Sequence, residues 1–160
     1  MSTLQTSPSF SICSSCNAFR SCRWTFSGDQ MGDNPKIIVI GSQSDYREDI
    51  KQNLMYSPDF MMFAKANKGE YDYYYTKLVK CYTPSDMIMD DGIARNPTQI
   101  EVDKCSTILQ MELKKYPDID RVMVLGATAF YYFCGREANF LDSVGKIIEV
   151  EKWGRKLKVS

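Results

Sequence analysis

Two apolar segments, each closed by a glycine, dominate the hydrophobic pattern of the chain. The first predicts a strand over residues 36–41 and the second a strand over residues 121–126. β-Branched and aliphatic runs without polar alternation are typical of strands that are buried on both faces of a parallel sheet. Ligands of open α/β sheets bind outside the carboxyl ends of such strands. We therefore expect the loops at Gly41 and Gly126 to border a site.

The remaining pattern alternates between strands and helices. Aromatic, β-branched and turn-forming residues predict further strands over 71–81, 146–150 and 155–159, the last two joined as a hairpin at Trp153–Gly154. Helical periodicity predicts helices over 45–55, 98–116 and 127–134. Thr98 and Glu101 form a capping box at the start of the second helix. This alternation predicts a three-layer α/β/α sandwich with a central, mainly parallel sheet.

The N-terminal segment has a different character. Residues 1–11 are polar and serine-rich, and we expect a flexible arm; residues 12–160 are expected to form a single domain. Within that domain, residues 12–34 carry three cysteines and little periodicity. Such a pattern predicts an irregular segment that is held by something other than a hydrophobic core.

The composition limits the kinds of catalytic and metal site that the chain can form. The 160 residues include six cysteines and no histidine, which excludes histidine-ligated zinc and histidine-based acid–base catalysis. No apolar run approaches the roughly 20 residues of a membrane helix, and no secretory signal is present in the sequence, so we expect a cytoplasmic protein with no membrane partner. In a reducing compartment, cysteines are expected to be metal ligands or core residues rather than disulfides.

Three segments of the chain, in order, resemble the iron–sulfur (family 4-like) uracil-DNA glycosylases. Cys13 and Cys16 form a C-x-x-C pair ahead of the first strand. Residues 76–81, T-K-L-V-K-C, are similar to the family's T-N-V-V-K-C, and a P-T-x-x-E segment with a cysteine follows at 97–105. Residues 122–129, V-M-V-L-G-A-T-A, are similar to V-I-V-A-L-G-A-T-A. The resemblance implies a uracil-DNA glycosylase-like fold.

The resemblance also implies a metal centre. In that family two N-terminal and two mid-chain cysteines hold one [4Fe–4S] cluster, and the matching residues here are Cys13, Cys16, Cys81 and Cys105. Four thiolates also suit zinc, which is the alternative metal, and ordinary buried thiols are the alternative to any metal. Cys22 is a potential replacement for Cys16. Residues 86–95 are expected to be an insertion relative to the family.

The residues expected for catalysis are altered. The family's G-E-A-P-G loop corresponds to a segment with Ser42 in the carboxylate position, its base-reading asparagine corresponds to Lys77, and its late H-P-S motif is absent. With these residues altered, Asp45 is the candidate catalytic carboxylate, from a shifted position, and Gln43 is the candidate hydrogen-bond donor to the base. The alternative is that both are ordinary loop residues. We expect the missing motif to reflect a fold without its C-terminal part, or one completed by a second chain.

Zero net charge excludes a general attraction to nucleic acid, so DNA binding is expected to depend on local basic residues. The candidate phosphate contacts are Lys77, Lys80, Lys152, Arg155, Lys156 and Lys158.

Three functions are consistent with these residues. The first is a non-catalytic DNA-binding or scaffolding subunit of a phage- or viral-type replication or transcription assembly, with protein partners. The second is an active uracil-DNA glycosylase of base excision repair that uses relocated catalytic residues. The third is a protein-interaction module without DNA binding, which docks through an unpaired edge strand near residues 155–160.

Overall fold

A six-stranded mixed sheet forms the centre of the computed structural model, which describes residues 12–85 and 94–160. In chain order its strands are β1 (Asp29–Met31), β2 (Ile37–Ser44), β3 (Tyr73–Tyr82), β4 (Arg121–Leu125), β5 (Ile148–Lys152) and β6 (Arg155–Val159). Their order across the sheet is β1-β3-β2-β4-β6-β5. The four inner strands are parallel, and the two edge strands are antiparallel to their neighbours.

Helices cover both faces of this sheet. They are α1 (Asn17–Ser21), α2 (Tyr46–Lys51), α3 (Pro58–Asn67), α4 (Gln99–Leu113), α5 (Ala127–Cys134) and α6 (Phe140–Ser143), with a 3-10 turn at Leu54–Tyr56. Among the described residues, every helix is too short or too polar to cross a bilayer.

Strand β3 shows how the two faces are built, because it is buried along its whole length and its side chains alternate between faces. Tyr73 and Tyr75 pack against Phe60 and Phe63 of α3 on one face. Tyr74 belongs to the opposite core, which α4 and α5 complete. The predicted three-layer α/β/α sandwich with a mainly parallel sheet is confirmed.

The predicted strands and the helices α4 and α5 are confirmed within a few residues, including the capping box of Thr98 and Glu101. The helix predicted over 45–55 is shorter, because Gln52 adopts a left-handed conformation with φ 52° and ends α2. Helix α3 was not predicted, although Ser57 caps it and Pro58 occupies its first turn, an arrangement typical of helix starts.

The C-terminal strand is not an edge. Strand β6 lies between β4 and β5, and the Ser160 carbonyl accepts a hydrogen bond of 2.8 Å from the Val124 N–H. The turn residues Trp153 and Gly154 have φ of 56° and 70°, which folds β5 against the outer side of β6. The prediction of an unpaired edge strand at 155–160 is therefore wrong, since both sides of that strand are hydrogen-bonded.

Candidate functional site

The carboxyl end of β2 and the loop that follows it carry polar side chains that link neighbouring elements of the fold. The Ser42 hydroxyl donates to the Leu125 carbonyl at 3.1 Å and accepts from the Ala129 N–H at 3.2 Å. It thereby ties β2 to the end of β4 and to the first turn of α5. The Gln43 amide, predicted to bind a base, donates to the Arg95 carbonyl at 3.0 Å.

Asp45, the predicted catalytic carboxylate, is the N-cap of α2. Its side chain accepts a hydrogen bond of 2.7 Å from the Arg47 N–H, while the Glu48 carboxylate accepts one of 2.6 Å from the Asp45 N–H. This reciprocal capping box satisfies two backbone donors at the start of the helix. The spacing of an aspartate and a glutamate three residues later was visible in the sequence, but we did not predict Glu48 as part of the site.

Lys77 is buried directly beneath this loop, with 1% of its surface exposed. Its ammonium lies 3.4 Å from Glu48 Oε2, 3.9 Å from Asp59 Oδ2 and 5.6 Å from the centre of the Tyr75 ring. The Lys77 side chain fills the space next to Gly41, so that a Cβ added at Gly41 would lie 2.7 Å from Lys77 Cδ. The phosphate contact of Lys77 stays a prediction; in this structure its side chain is enclosed and ion-paired.

The electrostatics of this pair are dominated by burial. Desolvation raises the pKa of Glu48 to about 7, although the positive charge of Lys77 partly opposes the shift. Burial would lower the pKa of Lys77, but its interactions with Tyr75 and Glu48 outweigh burial and raise it. Among the described residues, no group donates a hydrogen bond to Glu48 Oε1. The loop therefore covers a buried charged pair.

Lys80 lies on the opposite face of β3 and is also 1% exposed. Its ammonium donates to the Glu112 carboxylate at 2.6 Å and to the hydroxyl of Thr76, which itself donates to Glu112 at 2.8 Å. The Gly28 N–H completes the network with a bond of 3.1 Å to the other oxygen of Glu112. The phosphate contact of Lys80 also stays a prediction; in this structure its side chain is enclosed and paired with Glu112.

Three of the four predicted phosphate contacts in the C-terminal hairpin also have structural partners. The Arg155 guanidinium donates to four backbone carbonyls at and after the end of α4, the shortest bond being 2.7 Å to Ile119. The Lys152 ammonium lies 2.7 Å from the Tyr132 carbonyl. Lys158 pairs with Asp120 at 2.8 Å. Lys156 is exposed.

The predicted metal ligands lie on three separate parts of the chain. Cys13 and Cys16 flank the N-terminal turn, Cys81 is the residue before the last one of β3, and Cys105 lies on α4; their exposed fractions are 7%, 4%, 2% and 5%. All four are free thiols. Burial raises the pKa of Cys105 to about 11 and also raises that of Cys13.

Within residues 12–85 and 94–160, no three cysteine, histidine, aspartate or glutamate side chains have an arrangement that would hold a metal ion. The predicted insertion at 86–95 lies largely outside the described residues. Its last residue, Arg95, forms a two-point ion pair with Glu101, with nitrogen–oxygen distances of 2.7 and 2.8 Å. This contact fixes the segment before α4 to the start of that helix.

Comparison with known proteins gives two matches. Residues 29–158 match the family model of the uracil DNA glycosylase superfamily. The chain is also similar to the Type-4 uracil-DNA glycosylase of Archaeoglobus fulgidus, with 32% identity over 136 residues. That match covers 79% of this chain and 63% of the relative, so the chain spans a little under two thirds of the relative's length.

Proposed function

The chain belongs to the uracil DNA glycosylase superfamily, as its motifs predicted, and we propose that it binds DNA as a scaffolding subunit without excising uracil. The proposed setting is a replication or transcription assembly of phage or viral type, in a reducing intracellular compartment and with protein partners. The [4Fe–4S] cluster of the family would brace its N-terminal segment.

The observation that carries this proposal is the buried position of Lys77. By resemblance, this residue takes the place of an asparagine whose amide would read the edge of a flipped base. An amide offers a donor and an acceptor together, whereas an ammonium offers only donors. Here those donors face Glu48 and Asp59, and the lysine chain occupies the space below Gly41. A base placed in that space would have to displace a buried ion pair.

The hydrogen bonds of Asp45 and Gln43 disfavour an active glycosylase that uses these two residues for catalysis. Asp45 accepts the backbone hydrogen bond that starts α2, and Gln43 donates to a backbone carbonyl. A carboxylate that activates water and an amide that binds a base must both point toward substrate. Neither side chain can do so in this conformation without breaking a bond that stabilises the fold.

Basic residues other than the buried Lys77 and Lys80 would contact DNA. Arg47 and Lys51 lie on α2, which begins at the carboxyl end of β2, and both are exposed. Ligands of parallel sheets approach at this edge, and exposed cations are the groups that neutralise phosphates. We propose that these two residues, with Lys156, replace the buried lysines as phosphate contacts.

The chemistry of the cysteine donor set suits the proposed cluster, but these thiols would have to rearrange to bind it, because no three of the described side chains are arranged to hold a metal ion. The four predicted ligands are buried free thiols, and an all-sulfur set suits [4Fe–4S] or, as the alternative, zinc. When bound, the cluster would supply covalent links between Cys13 and Cys16, the end of β3 at Cys81, and α4 at Cys105. The raised pKa of Cys105 means that binding would require the loss of protons from thiols.

The test is DNA binding by fluorescence anisotropy, with single- and double-stranded oligonucleotides that carry either uracil or thymine at one position. We expect equal affinity for the two bases and an affinity that falls with salt. Replacing Arg47 and Lys51 by alanine should lower the slope of log K against log salt by about one per residue. The matched control is the pair Lys65→Ala and Lys68→Ala at the far end of α3.

A preference for uracil over thymine would contradict the loss of base reading. Absence of salt-dependent binding would instead contradict the proposed DNA binding and would favour a protein-interaction module that does not bind DNA.

A further inference from the structure

We propose that the outer edge of β5, the side that faces away from β6, binds an extended segment of a partner protein. The segment carries lysine or arginine at two positions that are separated by one apolar residue, and it adds an antiparallel strand to the sheet. This inference rests on the proposed function only in assuming a protein partner, and it depends neither on DNA binding nor on a metal.

The backbone of β5 presents hydrogen-bonding groups at this edge. Lys158 of β6 lies opposite Glu149, and its N–H points away from β5 and donates to the Asp120 carbonyl at 2.8 Å. Glu149 and Lys158 are therefore a non-hydrogen-bonded pair, and so are Glu151 and Lys156, two residues along the ladder. In such a pair the N–H and C=O groups face outward. Among the described strands, β6 is the only neighbour of β5, so these groups of both glutamates are available to a partner.

The opposite edge of the sheet is protected, in contrast to β5. Strand β1 has three residues, and the N–H of its central residue, Gln30, donates to the Asp29 carboxylate at 2.9 Å. Sheets commonly shield an edge by making its strand short and by occupying its donors. Strand β5 has five residues, and no side chain of the described residues is hydrogen-bonded to the backbone of Glu149 or Glu151. Strand β5 is therefore the edge at which another strand can add.

One face of β5 continues a pattern of alternating charge across the sheet. Asp120 pairs with Lys158 at 2.8 Å, and Lys158 lies opposite Glu149. Lys156 lies opposite Glu151 in the same way. Both glutamates are exposed, and opposite charges on directly paired residues stabilise a sheet. The next strand in this pattern would carry cations opposite Glu149 and Glu151.

Apolar side chains lie between and beside these glutamates. Val150 lies between them on the opposite face of β5, where it packs, partly buried, against the core that α5 completes. A partner residue between the two cations would lie beside Val150, which favours an apolar side chain there. In the segment that leads into β5, Leu141, Val144 and Ile147 are 79%, 67% and 70% exposed. Exposed apolar residues that cluster in this way commonly mark interaction sites.

A second copy of this chain is a poor occupant of the edge. Residues that face each other across an antiparallel pair lie on the same face of the sheet, so glutamates would face glutamates. With Val150 on the two-fold axis, Glu149 of each copy would face Glu151 of the other. A shift of the axis by one residue would place Glu149 or Glu151 opposite itself. Like charges directly opposite each other destabilise a strand pair, so the charges favour a basic partner.

The experiment measures the binding of short labelled peptides to the full chain by fluorescence anisotropy. The test peptide alternates lysine with valine, and the matched peptide alternates glutamate with valine. Two further forms of the lysine peptide are N-methylated, one on its lysines and one on its valines, which blocks main-chain hydrogen bonds along one edge only. The double variant Glu149→Lys with Glu151→Lys is compared with Asp33→Lys and Glu70→Lys, an exposed pair next to β1 and β3.

A second measurement uses wild type alone. Amide hydrogen exchange of the isotope-labelled chain is followed by nuclear magnetic resonance, with and without the lysine peptide. We expect the amides of Glu149 and Glu151 to exchange more slowly when the peptide is bound, because their N–H groups become hydrogen-bonded. This result does not require any variant to fold.

We expect wild type to bind the lysine peptide at least about tenfold more tightly than the glutamate peptide. The double variant at Glu149 and Glu151 should reverse that preference, and the control variant should keep it. N-methylation of the lysines should abolish binding, because in the antiparallel pairing their N–H groups face the two glutamates. N-methylation of the valines, whose N–H groups face away, should leave the affinity within about twofold of the unmodified peptide.

Equal binding of the two N-methylated peptides would overturn the inference, because attraction between charges alone needs no main-chain hydrogen bonds. Failure of the lysine peptide to bind, or unchanged exchange at Glu149 and Glu151, would also overturn it. Self-association of wild type that the double variant abolishes would make a second copy the occupant and would contradict the basic partner. DNA binding is measured separately, so its absence would refute that part of the proposed function and leave this test unaffected.

Discussion

The buried carboxylate of Glu48 should make the stability of the protein depend on pH in a defined window. Its pKa is about 7 in the folded chain, against an ordinary value of 4.5 in an unfolded one. A difference of that size corresponds to about 3 kcal/mol, because each pKa unit is worth about 1.4 kcal/mol. Glu48 has no exposed surface, so solvent screening reduces this little.

Because folding raises the pKa of Glu48, this residue stabilises the folded protein most in acidic solution. The folded protein holds the Glu48 proton more tightly than the unfolded chain does, so the contribution to stability is complete below pH 4.5 and is lost as pH rises through about 7. Lys77 also has a raised pKa, but its contribution is lost only in alkaline solution, above its ordinary pKa of 10.5. The two residues therefore titrate in separate windows.

The perturbation is Glu48→Gln, which removes the titrating group and keeps an oxygen that can accept from the Asp45 N–H. Urea unfolding across the window should show the stability of the wild type falling, relative to the variant, by about 3 kcal/mol between pH 4.5 and 7. Glu137→Gln, at an exposed glutamate, is the matched control. Parallel curves for wild type and Glu48→Gln would refute the placement of Glu48 in a desolvated pair with Lys77.

Three further substitutions test the packing around the site. Lys80→Met should cost about 3–5 kcal/mol of unfolding free energy, because it leaves the Glu112 carboxylate buried without a counter-charge. Arg155→Ala should cost about 1–3 kcal/mol, because the carbonyls after α4 lose their donor. Gly41→Ala should cost about 1–3 kcal/mol, since its Cβ would meet Lys77 Cδ at 2.7 Å. Each is measured by urea unfolding at neutral pH, and a change within about 0.5 kcal/mol, as expected for the exposed control Lys146→Met, would contradict the contact concerned.

The sheet could be predicted from the sequence because its strands carry strong local patterns. Runs of β-branched residues that end at Gly41 and Gly126 predicted β2 and β4, and the Trp153–Gly154 turn predicted the hairpin. These elements depend on neighbouring residues, which a sequence shows directly. Helix α3 was missed because Met61 and Met62 are exposed, so its apolar residues do not form one face.

The charged pairs could not be predicted in the same way. Lys77 and Lys80 lie on a strand that helices cover on both faces, and their partners Glu48 and Glu112 come from two different helices. A lysine in a strand is usually exposed, so both were interpreted as surface residues. Only the packing of α2 and α4 against β3 shows that these lysines are enclosed.

Uracil release under single-turnover conditions tests the proposed loss of catalysis most directly. The metal-loaded protein, in excess over a uracil-containing oligonucleotide, is compared with a Type-4 uracil-DNA glycosylase as positive control, and free uracil is quantified by mass spectrometry. We predict no release above that of a reaction without protein, for both single- and double-stranded DNA. Stoichiometric release that disappears in Asp45→Ala would contradict this and would make the protein an active glycosylase with a relocated carboxylate.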